Sequence, residues 1–317
     1  MSSRLHSLAG SSTIVADTGE IGLIERFRPQ DCTTNPSLLL KAARLDAYRP
    51  LVEEAVAWGR GRTATREGDI GAMADRLSVL FGRELTRLIP GMVSTEVDAA
   101  LSFDTAATVA KAEQLLESYR ELGVASDRIL IKIAATWEGV RAAAQLQQRG
   151  INCNMTLIFS LAQAVASAEA GAFLISPFVG RITDWYRSRQ DTDFPAESDP
   201  GVLSVREIYR YFKAHGYATV VMAASFRHCG QIEALAGCDR LTIAPSLLDE
   251  LARESGTVPR ALDPDTARQQ PPEAIDVSEA AFRWLMNEDP MATEKLADGI
   301  RRFHVDSLGL RQYLATC

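Results

Sequence analysis

Lys132 stands in Ile129-Leu130-Ile131-Lys132-Ile133-Ala134-Ala135-Thr136, a run otherwise almost wholly apolar and β-branched. Such a run reads as a strand buried on both faces. Lysine is rarely buried unless it is paired, because desolvating an ammonium is costly. Burial in general lowers an ammonium's pKa and frees a neutral amine that attacks carbonyls, so Schiff-base chemistry is the first expectation. The alternatives are a lysine paired structurally with a buried carboxylate, or one whose stem lets the charge snorkel to a strand end.

Polar side chains recur at the ends of the other strand-like runs. Asp17 ends the first, Thr33-Thr34-Asn35 the second and Ser94-Thr95-Glu96 the third. Asn154 and Thr156 mark the fifth, Ser176 and Arg181 the sixth, and Ser225 and Arg227 the seventh. Each has a plainer reading. Asn35 before Pro36 is a good helix N-cap. Asp17 and Glu96 could balance buried cations. Arg181 and Arg227 could be surface arginines with acidic partners, although both come just after Gly or Ser at strand ends, where a planar fork can hold a phosphate bidentately. Thr156 and Ser176 are weak signals singly, hydroxyls at strand ends being common.

These residues need a scaffold that brings strand ends together. Apolar strand-like runs begin near Thr13, Cys32, Met92, Ile129, Ile151, Phe173, Thr219 and Arg240, and most are followed by a helix-like segment. Gly123, Gly150, Gly171 and Gly216 are plausible helix stops. Residues 105–122 read as a helix with Asp104 as N-cap. Repeated strand–helix units imply parallel strands with right-handed crossovers, and eight of them match a single (β/α)8 barrel, in which strand ends carry the site. A doubly wound sheet would usually show a Gly-rich turn after its first strand, where this chain has Asp17-Thr18-Gly19-Glu20. Residues 187–201 and 254–276 read as long loops, residues 59–66 as a basic solvated turn, and residues 278–317 as a C-terminal helical tail carrying Trp284 and Phe303.

With 317 residues, the chain can bury a sizeable core. A net charge of −7 argues against a general nucleic-acid surface, so an anionic ligand needs locally placed cations. No apolar run is long enough to span a bilayer. Five cysteines without regular spacing fit a reducing compartment, and residues 1–10 lack the apolar stretch of a secretory signal; the expected location is cytoplasmic. Four histidines (His6, His215, His228, His304) show no ligand spacing, so no metal site is expected.

The runs Val15-Ala16-Asp17-Thr18-Gly19, Thr33-Thr34-Asn35-Pro36-Ser37-Leu38, Ser94-Thr95-Glu96-Val97-Asp98 and Ile131-Lys132-Ile133-Ala134-Ala135-Thr136-Trp137-Glu138-Gly139 resemble those of the transaldolases. So do Gly150-Ile151-Asn152-Cys153-Asn154-Met155-Thr156-Leu157, Ile175-Ser176-Pro177-Phe178-Val179-Gly180-Arg181 and Ala224-Ser225-Phe226-Arg227. The resemblance spans essentially the whole chain, and seven motifs in order are specific where each alone is modest. It implies a cofactor-free (β/α)8 enzyme of the pentose phosphate pathway, cytoplasmic and homodimeric. The implied reaction moves a dihydroxyacetone unit between sugar phosphates: sedoheptulose 7-phosphate and glyceraldehyde 3-phosphate give erythrose 4-phosphate and fructose 6-phosphate.

The resemblance also implies roles. Lys132 matches the Schiff-base lysine, Glu96 and Thr156 the pair that positions a water for proton transfer, and Asp17 the base that takes the hydroxyl proton as the carbon–carbon bond breaks. Asn35 and Ser176 match residues holding substrate hydroxyls, and Arg181, Ser225 and Arg227 the phosphate grip; Thr33, Asn154 and Phe178 complete the expected substrate-binding set. The chain departs from the family pattern at Ala100, where arginine is common, at Cys32, expected to pack or to be a modifiable thiol, and at His228, where asparagine is frequent. Two rivals are a fructose-6-phosphate aldolase, whose shorter members tend to carry tyrosine and glutamine at the positions of Phe178 and Glu96, and a catalytically silent sugar-phosphate-binding barrel.

Overall fold

A computed structural model describes residues 2–269 and 271–317. Eight parallel strands close into a barrel in sequence order: β1 (Thr13–Asp17), β2 (Asp31–Thr33), β3 (Val93–Glu96), β4 (Ile129–Ala134), β5 (Cys153–Ile158), β6 (Leu174–Pro177), β7 (Val220–Ala223) and β8 (Arg240–Ile243). β8 returns to β1 with Thr242 opposite Val15. The expected (β/α)8 barrel is therefore what the chain forms, and each strand starts within two residues of its expected position. All six residues of β4 and of β5 are buried, as parallel strands covered on both faces require.

Alternation along the strands fixes what fills the barrel. Val15, Leu130, Leu174 and Met222 cluster together inside it as an apolar floor. Side chains two residues further along the same strands point to the same side, which puts Asp17, Lys132 and Ser176 directly above that floor. Register then sets their neighbours: Lys132 lies between Glu96 of β3 and Asn154 of β5, and Asp17 lies beside Thr33 of β2.

The glycine at 216 ends the helix Pro200–His215 at φ 73, its N–H bonded to the Phe212 carbonyl; Gly123, Gly150 and Gly171 close helical segments at similar positive φ. Asp104 caps the helix Thr105–Glu121 through the Ala107 N–H. Two expectations need refinement. The helix Val179–Gln190 runs into the first expected loop and stops where Asp191 adopts φ 46. The tail is two helices, Glu279–Glu288 and Pro290–Leu314, because Asp289 caps the Ala292 N–H and Pro290 takes the first helical position. The described residues of the stretch 254–276 are mostly irregular, with one short helix, Pro264–Arg268, and residue 270 lies outside them. The basic turn is exposed and wraps the Asp69 carboxylate, which accepts the Gly61 and Thr63 N–H groups.

The long helix Arg66–Leu88, inserted before β3, packs with Leu39, Val52, Leu310 and Leu314 in a second apolar cluster, tying the C-terminal helix to the barrel flank. Its contact with the helix Thr105–Glu121 is close at Gly82, where a Cβ would lie 1.7 Å from Tyr119 Oη. Tyr119 is fully buried and its hydroxyl bonds Thr95 at 2.6 Å. Gly82→Ala is expected to lower stability in urea unfolding by ~1–3 kcal/mol through overpacking; an unchanged midpoint would show that Tyr119 can swing clear without losing its partner.

Candidate active site

Lys132 is 4% exposed. Its Nζ lies 3.1 Å from Glu96 Oε2, donates to the Thr34 carbonyl at 3.2 Å and sits 5.8 Å from the ring centre of Phe303. A lysine paired with a buried carboxylate was one of the plainer alternatives, and the pair exists. What distinguishes it is a second carboxylate: Asp17 lines the same cavity, of about 200 Å3, as Lys132. The Thr33 hydroxyl donates to Asp17 at 2.9 Å, so at the 2.8 Å contact between Thr33 and Thr242 the proton comes from Thr242.

On the β5 side, Asn154 donates to Ser94 at 3.0 Å and accepts from Ser176 at 2.7 Å, all three buried. Thr156 Oγ1 is buried with no hydrogen-bond partner, whereas the buried Glu96 Oε2 is met by Lys132 Nζ at 3.1 Å. A buried hydroxyl without a partner is rare in native proteins and is a place where a small polar molecule can bind. Thr156 is aimed by a bulge: Leu157 adopts φ 57 and the β5–β6 register shifts between Met155 and Ile158. The buried amide of Gln163 holds that bulge, donating to the Leu157 and Ala135 carbonyls and accepting the Phe159 N–H. Asn35 does cap a helix, its Oδ1 accepting the Leu38 N–H, and it also lines the cavity, leaving its NH2 group for a ligand.

The far end of the cavity is cationic. Arg181 lies over the rings of Phe178 and Phe303 at 5.1 and 5.4 Å, and its Nη1 is buried without a hydrogen-bond partner. Burial, with Arg302 and Arg227 nearby, pulls its pKa down. Arg227 has the acidic partner that its plainer reading anticipated: Asp184 accepts from Nη2 at 2.7 Å and from Nε at 3.1 Å. That clamp fixes the guanidinium and leaves Nη1 beside the Ser225 hydroxyl at 3.4 Å. Ser225 itself adopts φ 63.

Burial raises the pKa of both carboxylates; Lys132 is the largest opposing influence on each, and Arg181 opposes it more weakly. Cys32 is 1% exposed, and burial together with the Asp17 charge pushes its thiol far up, so it packs rather than reacts. Ala100 leaves no salt bridge missing, because the nearby Asp98 pairs with Arg311 of the C-terminal helix. His228 stands exposed at the start of the helix Cys229–Glu233 without capping it. A larger concavity, of about 990 Å3, opens at the opposite end of the barrel around Thr13, Gln30 and Asp239, and holds none of the expected site residues. The chemistry belongs to the C-terminal rim, where the buried titratable groups converge.

Reading strand ends found Asp17, Thr33, Asn35, Glu96, Lys132, Asn154, Thr156, Ser176, Arg181, Ser225 and Arg227, and the resemblance added Phe178; Thr242, Asp184, Gln163 and Phe303 were not among the expected site residues. Thr242 follows from the same rule applied to β8. Asp184 and Phe303 carry no local signal; a helix and the distant tail deliver them. Among the described residues no group of three or more His, Cys, Asp or Glu is placed to hold a metal ion, and no helix is long and apolar enough to cross a membrane.

Residues 14–314 match the family model described as Transaldolase/Fructose-6-phosphate aldolase. The Transaldolase of Marinomonas sp. (strain MWYL1) is 55% identical over 314 residues, 99% of either chain. That of Agrobacterium fabrum is 55% identical over 312 residues, 98% of this chain and 97% of the relative. That of Yersinia pseudotuberculosis serotype O:3 is 54% identical over 316 residues, again 99% of each. This barrel, its buried lysine paired with Glu96 and sharing a cavity with Asp17, is matched over nearly its whole length in this way and belongs to the transaldolase/fructose-6-phosphate aldolase family.

Proposed function

We propose that this chain is a transaldolase that carries a dihydroxyacetone unit as a Schiff base on Lys132. The observation that carries the reading is Lys132, buried with Glu96 at 3.1 Å, sharing a cavity with Asp17 and with Arg181, one guanidinium nitrogen of which has no hydrogen-bond partner. The attacking amine must shed a proton, and Glu96 is placed to accept it. Attack on the donor's C2 carbonyl gives a carbinolamine; Glu96 and Thr156, acting through a water between them, protonate its hydroxyl, which leaves as water to form the iminium. Asp17 then takes the proton of the C4 hydroxyl. The C3–C4 bond breaks, its electron pair moves to the iminium to form an enamine, and the aldose phosphate departs. The acceptor aldehyde reverses these steps, and hydrolysis of the new iminium frees Lys132.

Asn35 and Ser176 hold hydroxyls of the three-carbon unit, with Thr33 bonded to Asp17 at 2.9 Å and Asn154 to Ser176 at 2.7 Å behind them. Arg181, Ser225 and Arg227 take the phosphate, so the partners are sugar phosphates. Phe178 separates this reading from the lyase: its ring, packed edge-on against Phe159 at 5.6 Å, offers no proton to the enamine, which therefore waits for an aldehyde. A cytoplasmic homodimer is part of the same proposal, on the resemblance alone.

Incubation with fructose 6-phosphate followed by borohydride should leave a three-carbon adduct on the peptide containing Lys132, and Lys132→Ala should leave none while remaining folded. Substrate binding without any adduct would instead make the chain a silent sugar-phosphate binder. Arg181→Ala is expected to raise KM for phosphorylated sugars by roughly 10- to 100-fold, the worth of a hydrogen bond to a charged group, and to leave dihydroxyacetone unaffected; equal changes for both would take the phosphate away from Arg181.

Glu96 gives a pH test. Its folded pKa lies above the ordinary carboxylate range of ~4, so between those values the folded protein binds more protons and loses stability as pH rises. Glu96→Gln lacks that loss. The melting temperature of the variant minus that of the wild type should grow from pH 4 toward neutrality, roughly, while turnover drops by ~10²–10⁴. A difference that stays flat with pH would mean that Glu96 ionises as it does in the unfolded chain.

A further inference from the structure

A buried polar cluster lies behind the cationic end of the cavity. Asp199 and Gln231 are both fully buried. The Gln231 amide donates to Asp199 Oδ2 at 2.9 Å and to Thr183 Oγ1 at 3.0 Å, and its Oε1 accepts the backbone N–H of Arg227 at 2.8 Å. Asp199 also accepts from the Thr183 hydroxyl at 2.9 Å and from the N–H groups of Gly201 and Val202 at 2.8 and 3.0 Å. Every donor and acceptor of the amide and carboxylate that this geometry can use is occupied. Buried networks satisfied to this degree are rigid, and leaving one member unpartnered is costly.

Its members come from three separate segments. Thr183 lies two residues after Arg181 and one before Asp184, on the helix Val179–Gln190. Arg227 and Gln231 belong to the connection after β7, and Asp199 caps the helix Pro200–His215. The segments touch backbone to backbone. The Gly180 N–H bonds the Ser225 carbonyl at 2.7 Å, and a Cβ at Gly180 would fall 2.4 Å from that oxygen; one at Gly201 would fall 2.1 Å from the Val179 carbonyl. Arg181 and the Ser225–Arg227 turn, which strand ends alone would leave independent, are thus set relative to each other by one cluster that touches no substrate.

We propose that Gln231 and Asp199 are positioning residues for phosphate specificity: they hold the Arg227 turn and the Arg181 helix at the spacing that grips one phosphate. This rests on the phosphate assignment of Arg181 and Arg227 made above. Loss of the cluster loosens the turn with its strained Ser225, weakening a phosphate clamp while leaving the chemistry at Lys132 untouched.

The test is KM and kcat for glyceraldehyde 3-phosphate against glyceraldehyde as acceptor, with saturating fructose 6-phosphate. For Gln231→Met, Gln231→Glu and Asp199→Asn, KM for the phosphorylated acceptor should rise roughly tenfold with kcat held within about twofold, and KM for glyceraldehyde should not move. The double variant Asp199→Asn/Gln231→Glu exchanges carboxylate and amide while conserving charge and donor number, so it should recover the wild-type KM. It carries the test by itself should Gln231→Met fail to fold. Equal changes for both acceptors, or a double variant no better than the singles, would overturn the inference. Arg181→Ala and Arg227→Ala in the same assay separate the two readings. If they leave phosphate discrimination intact, the phosphate assignment falls; if they abolish it while the cluster variants do not move it, only the positioning role falls.

Discussion

An ammonium kept at 4% exposure above an apolar floor must be compensated by groups within a few ångströms, and this constraint organises the barrel's upper half. The compensation is Glu96 at 3.1 Å and the Thr34 carbonyl at 3.2 Å. It works only because β3 pairs with β4 in the register that sets Glu96 opposite Lys132. Desolvation still outweighs the attraction for both carboxylates, so their protons are held more tightly than usual. In the reaction proposed above, a proton passes across the Lys132–Glu96 pair as the imine forms.

The remaining walls cover this pair, whose side chains are nearly wholly buried. Phe303 arrives on the C-terminal helix, facing both Lys132 and Arg181. The helix comes close because residue 299 is glycine: a Cβ there would lie 2.7 Å from Leu157 Cδ2 and 3.2 Å from Arg181 Nη1. Excluding water strengthens the charge interactions inside such a cavity and, in the reaction proposed above, protects the enamine. The same helix pairs Arg311 with Asp98 just past β3, so the closing element is fastened beside the strand end that supplies Glu96.

Among the described residues, two of the four non-glycine positions at positive φ adjoin these groups, the other two, Arg28 and Asp191, ending helices. Leu157 and Ser225, both at positive φ without being glycine, follow Thr156 and precede Arg227 respectively. A buried glutamine stands behind each: Gln163 donates to the Leu157 carbonyl, and Gln231 accepts the N–H of Arg227, two residues after Ser225. The arrangement is the same beside Thr156 and beside Arg227: a bent strand end held by a buried side-chain amide.

How much of this the residues declared beforehand follows from the range of the interactions. Strand alternation, helix caps such as Asp104 and Asn35, and glycine stops are local, and they sufficed for the eightfold barrel. Once the barrel is assumed, every strand end faces one rim, so Asp17, Glu96, Lys132, Thr156 and Ser176 could be gathered without knowing a single distance. The two-helix tail was legible in principle from Asp289-Pro290, a cap and a first-turn proline. Other features had no local mark. Phe303 closes the cavity from far along the chain, Asp184 restrains Arg227 across 43 residues, and Gln231 meets Asp199 across 32. Sequence determined which groups stand on the rim, because side-chain direction in a strand has a period of two; only packing decided which of them are dry, paired or left without a partner, because desolvation and contact depend on every segment that covers the site.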